Sequence, residues 1–421
     1  MEVVHRRKAS KVSPKVEEDV ISTMPEDVIV NIMERLPLKD AVGTSILSTS
    51  WRFKWTLLTR LIFEYEFFSS LGKRKIHFDK TNISRFLLHL KGPITKFALS
   101  YTDHDIKVDV EDIHHWVMLL SRIRGLMELT LMYWNSKRAV KLPTHLFSCL
   151  DLKLLYLRNF VLPPLPYVRG FPKLLSLDLH NVSIQDHRCG ELIAQSPLLE
   201  TLNILNKKLR GEVKLVEIAK LKNVKKLSLS LCLLDNMTMV RLSYVLQHFS
   251  LLPRLQELYL CFYECKFLPE DGTQNPVSNT FPFLKTLTLR HIDFSSNSML
   301  SCAFGMLFGC VNLQTLDITP IYKNVVPLPA IFSPEVDCST MGRLQLRNVK
   351  LAHIRCLENE LCLIKYVLAC SSMLKNIVIN SCLDIDDVNE KNELSSKLLK
   401  LHRASPIAEI ILTYTRVFWT T

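Results

Sequence analysis

The chain has 421 residues, 48% of them hydrophobic, and carries 53 Lys and Arg against 41 Asp and Glu for a net charge of +12. That length and apolar content suit more than one cored domain and exclude a wholly disordered chain. No run approaches the roughly 18 apolar residues that a membrane helix needs. The first twenty residues, charged and short of large apolar groups, read as a disordered basic tail. Their cluster His5, Arg6, Arg7 and Lys8 precedes no apolar stretch of the kind a secretory signal requires. The expected location is intracellular, in the nucleus, the cytoplasm or both. Twelve cysteines, scattered singly, then read as reduced thiols packed like small hydrophobes. Cys261 and Cys265 are the closest pair, and no second pair stands at zinc-site spacing, so neither a metal nor another cofactor is expected.

The next segment, Met24 to Trp55, reads as three short helices. Pro25 suits a first helical position, with Glu26 and Asp27 placing negative charge in the positive first turn. Ile29, Ile32, Met33 and Leu36 follow at helical spacing, and Pro37 ends the helix by pushing Leu36 out of α geometry. Leu38, Ala41, Val42 and Ile46 supply a second apolar turn. Ser48 or Ser50 can cap a third helix with the stripe Trp51, Trp55 and Leu58. Units well below roughly 70 residues rarely bury enough surface alone, so this one calls for a neighbour.

The ordered run Pro25, Asp27, Val28, Ile29, Ile32, Leu36, Pro37, Leu38, Ala41, Val42, Ser45, Leu47, Ser48, Trp51, Arg52 and Trp55 resembles an F-box. Met24 stands where that family usually has Leu, and Thr49 and Ser50 replace a basic pair common before the first Trp. The resemblance implies docking on a Skp-type adaptor and, through it, on a cullin. It implies that Met24, Pro25, Ile29, Ile32, Leu36, Pro37, Leu38, Val42, Leu47, Trp51 and Trp55 form the adaptor-binding set.

Beyond this segment one spacing recurs: apolar, two residues, apolar, one residue, apolar. It runs through Leu126/Leu129/Leu131, Leu152/Leu155/Leu157, Leu174/Leu177/Leu179, Leu199/Leu202/Ile204, Val224/Leu227/Leu229 and Leu255/Leu258/Leu260. It continues as Leu284/Leu287/Leu289, Leu313/Leu316/Ile318, Met341/Leu344/Leu346, Leu374/Ile377/Ile379 and Ile407/Ile410/Leu412, with Ile94/Phe97/Leu99 as a degenerate first copy. The period, about 22 to 33 residues, is that of a leucine-rich repeat, in which each copy gives a short strand and stacking buries the apolar face. The Asn or Cys expected three residues after the last leucine is mostly missing, with Trp134, Lys207, Tyr263, Ile292 and Val349 in that slot and Cys232 and Cys382 as exceptions. The turn carbonyls need other donors, and an irregular curve is expected.

The stretches Glu358 to Ile379 and His402 to Leu412 resemble the FBD module of plant F-box/leucine-rich-repeat proteins, and Leu88 to Ser100 with Asp112 to Leu131 resemble that group's first repeats. The implied fold is α/β: a small three-helix F-box, then an irregular solenoid with parallel strands on its concave face, then an FBD-type end that closes it. The boundaries read 1–20 tail, 21–60 F-box, 61–125 connection and degenerate repeat, 126–330 repeats, and 331–421 FBD-type repeats.

Residues alternating with the core leucines face the concave side. They include Tyr156, Arg158, Asp178, His180, Asn203, Tyr259, Arg290, Asp317, Arg343, Gln345 and Arg347, and they are the candidate target-binding surface. Arg290, Arg343 and Arg347 make its later part basic and suited to an acidic or phosphorylated segment. No phosphate loop, nucleophile elbow or paired-His motif occurs. His114 and His115 read as exposed helix residues, and Asp384, Asp386 and Asp387 as a solvated turn. The basic groups Lys73 to Lys75, Lys207 to Arg210 and Lys220 to Lys226 lack interleaved aromatics for base stacking. The expected function is non-catalytic: substrate recognition for a cullin-based ubiquitin ligase. An adaptor-bound scaffold without ubiquitination, and a basic nucleic-acid-binding repeat protein, stay open as alternatives.

Overall fold

The computed structural model describes residues 23–73, 78–135, 139–164, 170–185, 188–206, 213–235, 241–265, 267, 281–323, 344–355, 357–382 and 388–414. The N-terminal tail, Lys75, Lys207 to Arg210, Met341, Arg343 and the acidic turn at Asp384 lie outside them.

Helix α1 (Glu26–Met33) starts on Pro25, whose carbonyl accepts from Val28 and Ile29 N–H, both at 3.1 Å. It tightens before Pro37, with Leu36 N–H bonding to Met33 O at 3.1 Å. Helix α2 (Leu38–Gly43) follows and closes in a 3-10 turn, Thr44–Ile46. The third expected helix is instead a series of turns ending in a 3-10 segment, Lys54–Leu57. Local hydroxyls compete with the helix here: Ser48 Oγ bonds Ser50 Oγ at 2.7 Å and accepts from Trp51 N–H at 3.3 Å. Burial of Trp51 then pins the turn.

A 13-stranded parallel sheet occupies the rest of the chain. Its strands are β1 (Arg60–Phe63), β2 (Lys96–Tyr101), β3 (Glu128–Tyr133), β5 (Leu154–Arg158), β7 (Ser176–His180), β9 (Thr201–Leu205) and β10 (Lys226–Ser230). It continues through β11 (Glu257–Cys261), β12 (Thr286–Asp293), β13 (Thr315–Ile321), β14 (Asn348–Ile354), β15 (Asn376–Ser381) and β16 (Glu409–Tyr414). Three short strands, β4 (Val140–Lys141), β6 (Phe160–Leu162) and β8 (Ser183–Ile184), pair in a second parallel sheet just past the strands they follow. The side-chain period of two puts the repeat leucines on one face in two unbroken columns. One runs Leu61, Phe97, Leu129, Leu155, Leu177, Leu202, Leu227, Leu258, Leu287, Leu316, Val349 and Ile377, all buried. Helices cover that face. Among them are α3 (Tyr65–Lys73), α4 (Lys80–His89), α5 (Val110–Arg122), α6 (Cys189–Ala194), α7 (Leu215–Ala219), α8 (Leu242–Ser250), α9 (Asn297–Gly309), α10 (Glu358–Cys370) and α11 (Val388–Leu399). In α5 the buried Trp116 donates Nε1–H to Ser84 Oγ of α4 at 2.8 Å, tying successive layers.

Three expectations shift. The sheet begins one strand earlier than the repeat spacing shows, at β1, whose Leu61 and Phe63 are fully buried beside the expected degenerate copy, now β2. The ninth copy is not Met341/Leu344/Leu346 but Leu346/Val349/Leu351, because β14 starts at Asn348 and pairs Val349 with Leu316 and Ile377. Two overlapping apolar trios share Leu346, and the one that continues both columns wins. Third, the turn carbonyls find asparagine two residues, not three, after the last leucine. Asn159, in left-handed backbone with φ 61°, donates Nδ2–H to Tyr133 O at 2.6 Å, and Asn206 donates to Val182 O at 2.9 Å. Asn181 reaches Asn159, while Cys232 and Cys382 point Sγ–H at the carbonyls of Asn206 and Ile354.

At the far end β16 is the last strand. Its Ile410 and Leu412 stay half-buried, where Ile377 and Ile379 one strand earlier are fully buried. Described residues therefore leave that end less covered than the FBD resemblance implies.

Candidate functional site

Two surfaces stand out, one at each level of the chain's organisation. On α1 the four-residue spacing produces a second apolar stripe: Val28, Ile32 and Leu36 point outward while Ile29 and Met33 point into the core. On the turns that follow, Ile46, Leu47 and Phe53 are 88%, 69% and 61% exposed. Of the expected adaptor set, Pro25, Ile32, Leu36, Pro37 and Leu47 are exposed. Ile29, Leu38 and Trp51 are buried, and Met24, Val42 and Trp55 are half-buried against the core, so these six shape the surface from beneath. Val28, Ile46 and Phe53 are exposed apolar residues outside the expected set. Val28 was readable as the residue four before Ile32; Ile46 and Phe53 sit in 3-10 and turn geometry with no periodic signal.

This F-box unit is welded to the repeats. Glu34 accepts from both the backbone N–H and the hydroxyl of Thr59, and Thr59 O accepts from Thr95 N–H at 2.8 Å, the bond that starts β2. Trp55 meets Phe86 of α4 edge to face at 5.3 Å, and both belong to one continuous core with the sheet.

The open face of the sheet presents the residues between the leucines. One column reads Thr130, Tyr156, Asp178, Asn203, Ser228, Tyr259, Thr288, Asp317, Lys350, Val378 and Ile411. The structure groups several expected residues. The His180 ring stacks on Tyr156 at 5.3 Å, His180 Nε2 lies 2.7 Å from Asp178 Oδ1, and Asn203 Nδ2 donates to Asp178 Oδ2 at 3.0 Å. The Arg158 guanidinium lies 4.1 Å over the exposed ring of Trp134, whose Nε1–H donates to Ser100 Oγ at 2.8 Å. Arg290 donates to Asp317 Oδ2 at 2.8 Å and to Thr319. Burial pushes the Tyr156 and Tyr259 phenols up, partly offset for each by its bond to Arg158 or Arg290.

The expected basic face changes accordingly. Arg290 is neutralised by Asp317, Arg343 is outside the described residues, and Gln345 and Arg347 precede β14 rather than project from it. Asn348 and Lys350 are the open-face residues of that strand. His115 is exposed, and half-buried His114 has Nε2 at 3.1 Å from Lys141 O.

Eight of the ten described cysteines are buried. Burial pushes the Cys149 and Cys310 thiols up to about 12, which keeps them protonated and poor as nucleophiles or ligands. Among the described residues no group of three or more His, Cys, Asp or Glu is placed to hold a metal ion, and no helix is long and apolar enough to cross a membrane.

Comparison with known proteins matches these surfaces to families. The F-box domain model covers residues 21–63, and the model for the leucine-rich repeats of the FBD-associated F-box protein At5g56370 covers 113–218. The F-box/FBD/LRR-repeat protein At1g13570 of Arabidopsis thaliana is 29% identical over 420 residues, spanning 93% of this chain and 98% of that protein. The FBD-associated F-box protein At4g10400 of the same plant is 34% identical over 187 residues, 44% of each chain. Among solved structures, a Leptospira interrogans LRR protein, LIC12759, aligns over 86% of this chain and 91% of its own at 14% identity and a TM-score of 0.36. The repeat assignment rests on the strand register above. With an F-box match at residues 21–63 and FBD-associated repeats matched at 113–218, the chain is similar to the F-box/FBD/leucine-rich-repeat proteins along most of its length.

Proposed function

We propose that the chain is the substrate-recognition subunit of a cullin-based ubiquitin ligase. The F-box docks on a Skp-type adaptor, the open sheet face holds a target protein, and transfer of ubiquitin is performed by other subunits. The observation that carries this reading is the outward apolar set Val28, Ile32, Leu36, Ile46, Leu47 and Phe53, gathered on a unit whose other face is already buried. Exposed apolar patches of this kind mark protein–protein surfaces. In this reading residues 21–60 dock and residues 61–414 recognise, with the FBD-type end extending the same sheet. Because the F-box shares one core with β1 and β2, docking also sets the direction of the recognition face. A target held there sees activated ubiquitin at raised effective concentration, which is the chain's contribution to rate.

Size-exclusion chromatography of the purified chain with a Skp-type adaptor tests the docking step. A stable complex is expected, and Leu36→Asp with Leu47→Asp should abolish it while leaving the fold intact. Absence of any complex with the unaltered chain sinks the reading. Adding cullin, ubiquitin and a captured target then separates a ligase receptor, which gives target-dependent ubiquitin transfer, from a scaffold that gives none.

A further inference from the structure

Charges on the open face and its rim mostly occur as cross-strand pairs. Lys96 meets Glu128, Lys225 meets Glu200, and Lys226 meets Glu257, at 2.8, 2.9 and 2.8 Å. The rim row that precedes each strand is tied by backbone bonds: Lys225 N–H to Glu200 O, Gln256 N–H to Lys225 O, and Lys285 N–H to Gln256 O. Farther along it, Gln314 N–H bonds to Lys285 O, Arg347 N–H to Gln314 O, and Lys375 N–H to Arg347 O. Here the pairing stops. Lys285, Arg347 and Lys375 are exposed, and among the described residues no carboxylate pairs with them.

Their spacing follows from the sheet. Strands lie about 4.8 Å apart, so Arg347 and Lys375 are neighbours and Lys285 stands roughly 10 Å from Arg347. Like charges on adjacent strands repel, and an anion seated between them relieves the repulsion while gaining charge-assisted hydrogen bonds. The adjoining row, Thr286, Thr315, Asn348 and Asn376, adds neutral hydrogen-bonding groups. Two carboxylates of this neighbourhood are occupied, Asp317 by Arg290 and Glu257 by Lys226. Exposed Glu409 continues the adjoining row beside Asn376, with its N–H on Lys375 O at 2.9 Å, and among the described residues it forms no ion pair with Lys375 or Arg347.

We propose that the rim of β12 to β15 binds a phosphorylated segment of the target protein, with one phosphate at Arg347 and Lys375 and a second at Lys285. This rests on the recognition reading above and narrows it to a place and a chemistry. An extended peptide rises about 3.3 Å per residue with side chains on alternate sides, so phosphoserines four positions apart share a side and span about 13 Å, close to the roughly 12 Å from Lys285 to the middle of the Arg347 and Lys375 pair. Nucleic acid fits less well. The cations cover only four strands, and no exposed aromatic side chain lies in the row to stack a base.

Fluorescence anisotropy on the full chain tests this with three probes. They are a labelled Gly/Ser peptide with two phosphoserines four positions apart, the same peptide unphosphorylated, and an oligothymidylate of equal charge. The doubly phosphorylated peptide is expected to bind, its unphosphorylated form to bind at least tenfold more weakly, and the oligothymidylate more weakly than the phosphopeptide. Lys285→Glu with Lys375→Glu should cost at least tenfold, and the milder Lys285→Gln with Lys375→Gln should follow in the same direction. Lys153→Glu with Lys220→Glu makes the same charge change elsewhere and should leave affinity within twofold. Equal loss in that control, no phosphate dependence, no binding, or tighter binding of oligothymidylate overturns the proposal. Adaptor co-elution of the same variants is read separately, so loss of docking with phosphopeptide binding retained strikes only the ligase reading.

Discussion

The F-box and the open sheet face expose opposite chemistry to solvent. The F-box leaves six apolar side chains uncovered on a few short helical turns, whereas the sheet face joins its charges across strands, as in Lys226–Glu257 and Arg290–Asp317. An apolar patch gains about 25 cal/mol for each Å² that a partner covers, whatever the partner's detailed polar pattern. That suits a surface with one constant partner. A face of paired charges gains little from contact as such, since each new bond displaces an existing one or a water. It selects a partner by geometry and by the few charges left unpaired. Under the function proposed above, the contrast fits constant docking at the F-box and selective recognition at the sheet.

The largest expected effect tests whether the F-box face is truly spare to folding. Leu258 lies in the leucine column at 1% exposure, and Leu258→Ala should lower unfolding free energy by about 2–5 kcal/mol in denaturant titration. Replacing Ile46, Leu47 and Phe53 together by Ser should cost no more than about 0.5 kcal/mol each, because those side chains already face water. If the triple F-box variant loses as much stability as the core variant, its apolar residues serve the chain's own core and the contrast collapses.

Legibility follows the same division. The leucine spacing revealed the sheet because each copy repeats one physical requirement, burial of alternate residues against the next copy. It failed where that requirement is met by different residues. Arg60 to Phe63 supplies a strand just after the F-box-like run, and Leu346 belongs to two apolar trios between which only neighbouring strands decide. Within the F-box, helical spacing identified apolar positions but not their sides. Ile29 and Ile32 look alike in sequence, yet one is buried in the core and the other faces solvent. The basic rim was half visible: Arg347 was named as part of a basic face, but its row with Lys285 and Lys375 exists only once the register of β12, β14 and β15 is known.

A middle-sized effect probes the ladder of turn donors beneath the sheet's exit edge. Asn159 is buried, has φ 61°, and donates to Tyr133 O at 2.6 Å. Asn159→Ala leaves that carbonyl without its donor and places an alanine in left-handed backbone, so a loss of about 1–3 kcal/mol is expected. Asn159→Gly removes the backbone strain but not the missing bond and should recover part of the loss. Should both variants melt like the unaltered chain, the turn carbonyls rely on other donors and the ladder is incidental.

The smallest effect separates two kinds of pair on the open sheet face itself. Lys226 and Glu257 lie 2.8 Å apart with side chains about half exposed, 53% and 45%. Arg290 and Asp317 are equally close but only 26% and 19% exposed, and Arg290 also bonds Thr319. A double-mutant cycle on the first pair should give a coupling of about 0–1 kcal/mol that fades in 0.5 M salt, since water and ions screen it. The second pair, less screened and held by an extra bond, should couple more strongly and keep most of its coupling in salt. Equal coupling and equal salt dependence at the two sites would show that both dissolve freely into solvent. The face would then be a collection of independent charges, open to remodelling by any polar partner, rather than a pre-set pattern in which the unpaired rim cations stand out.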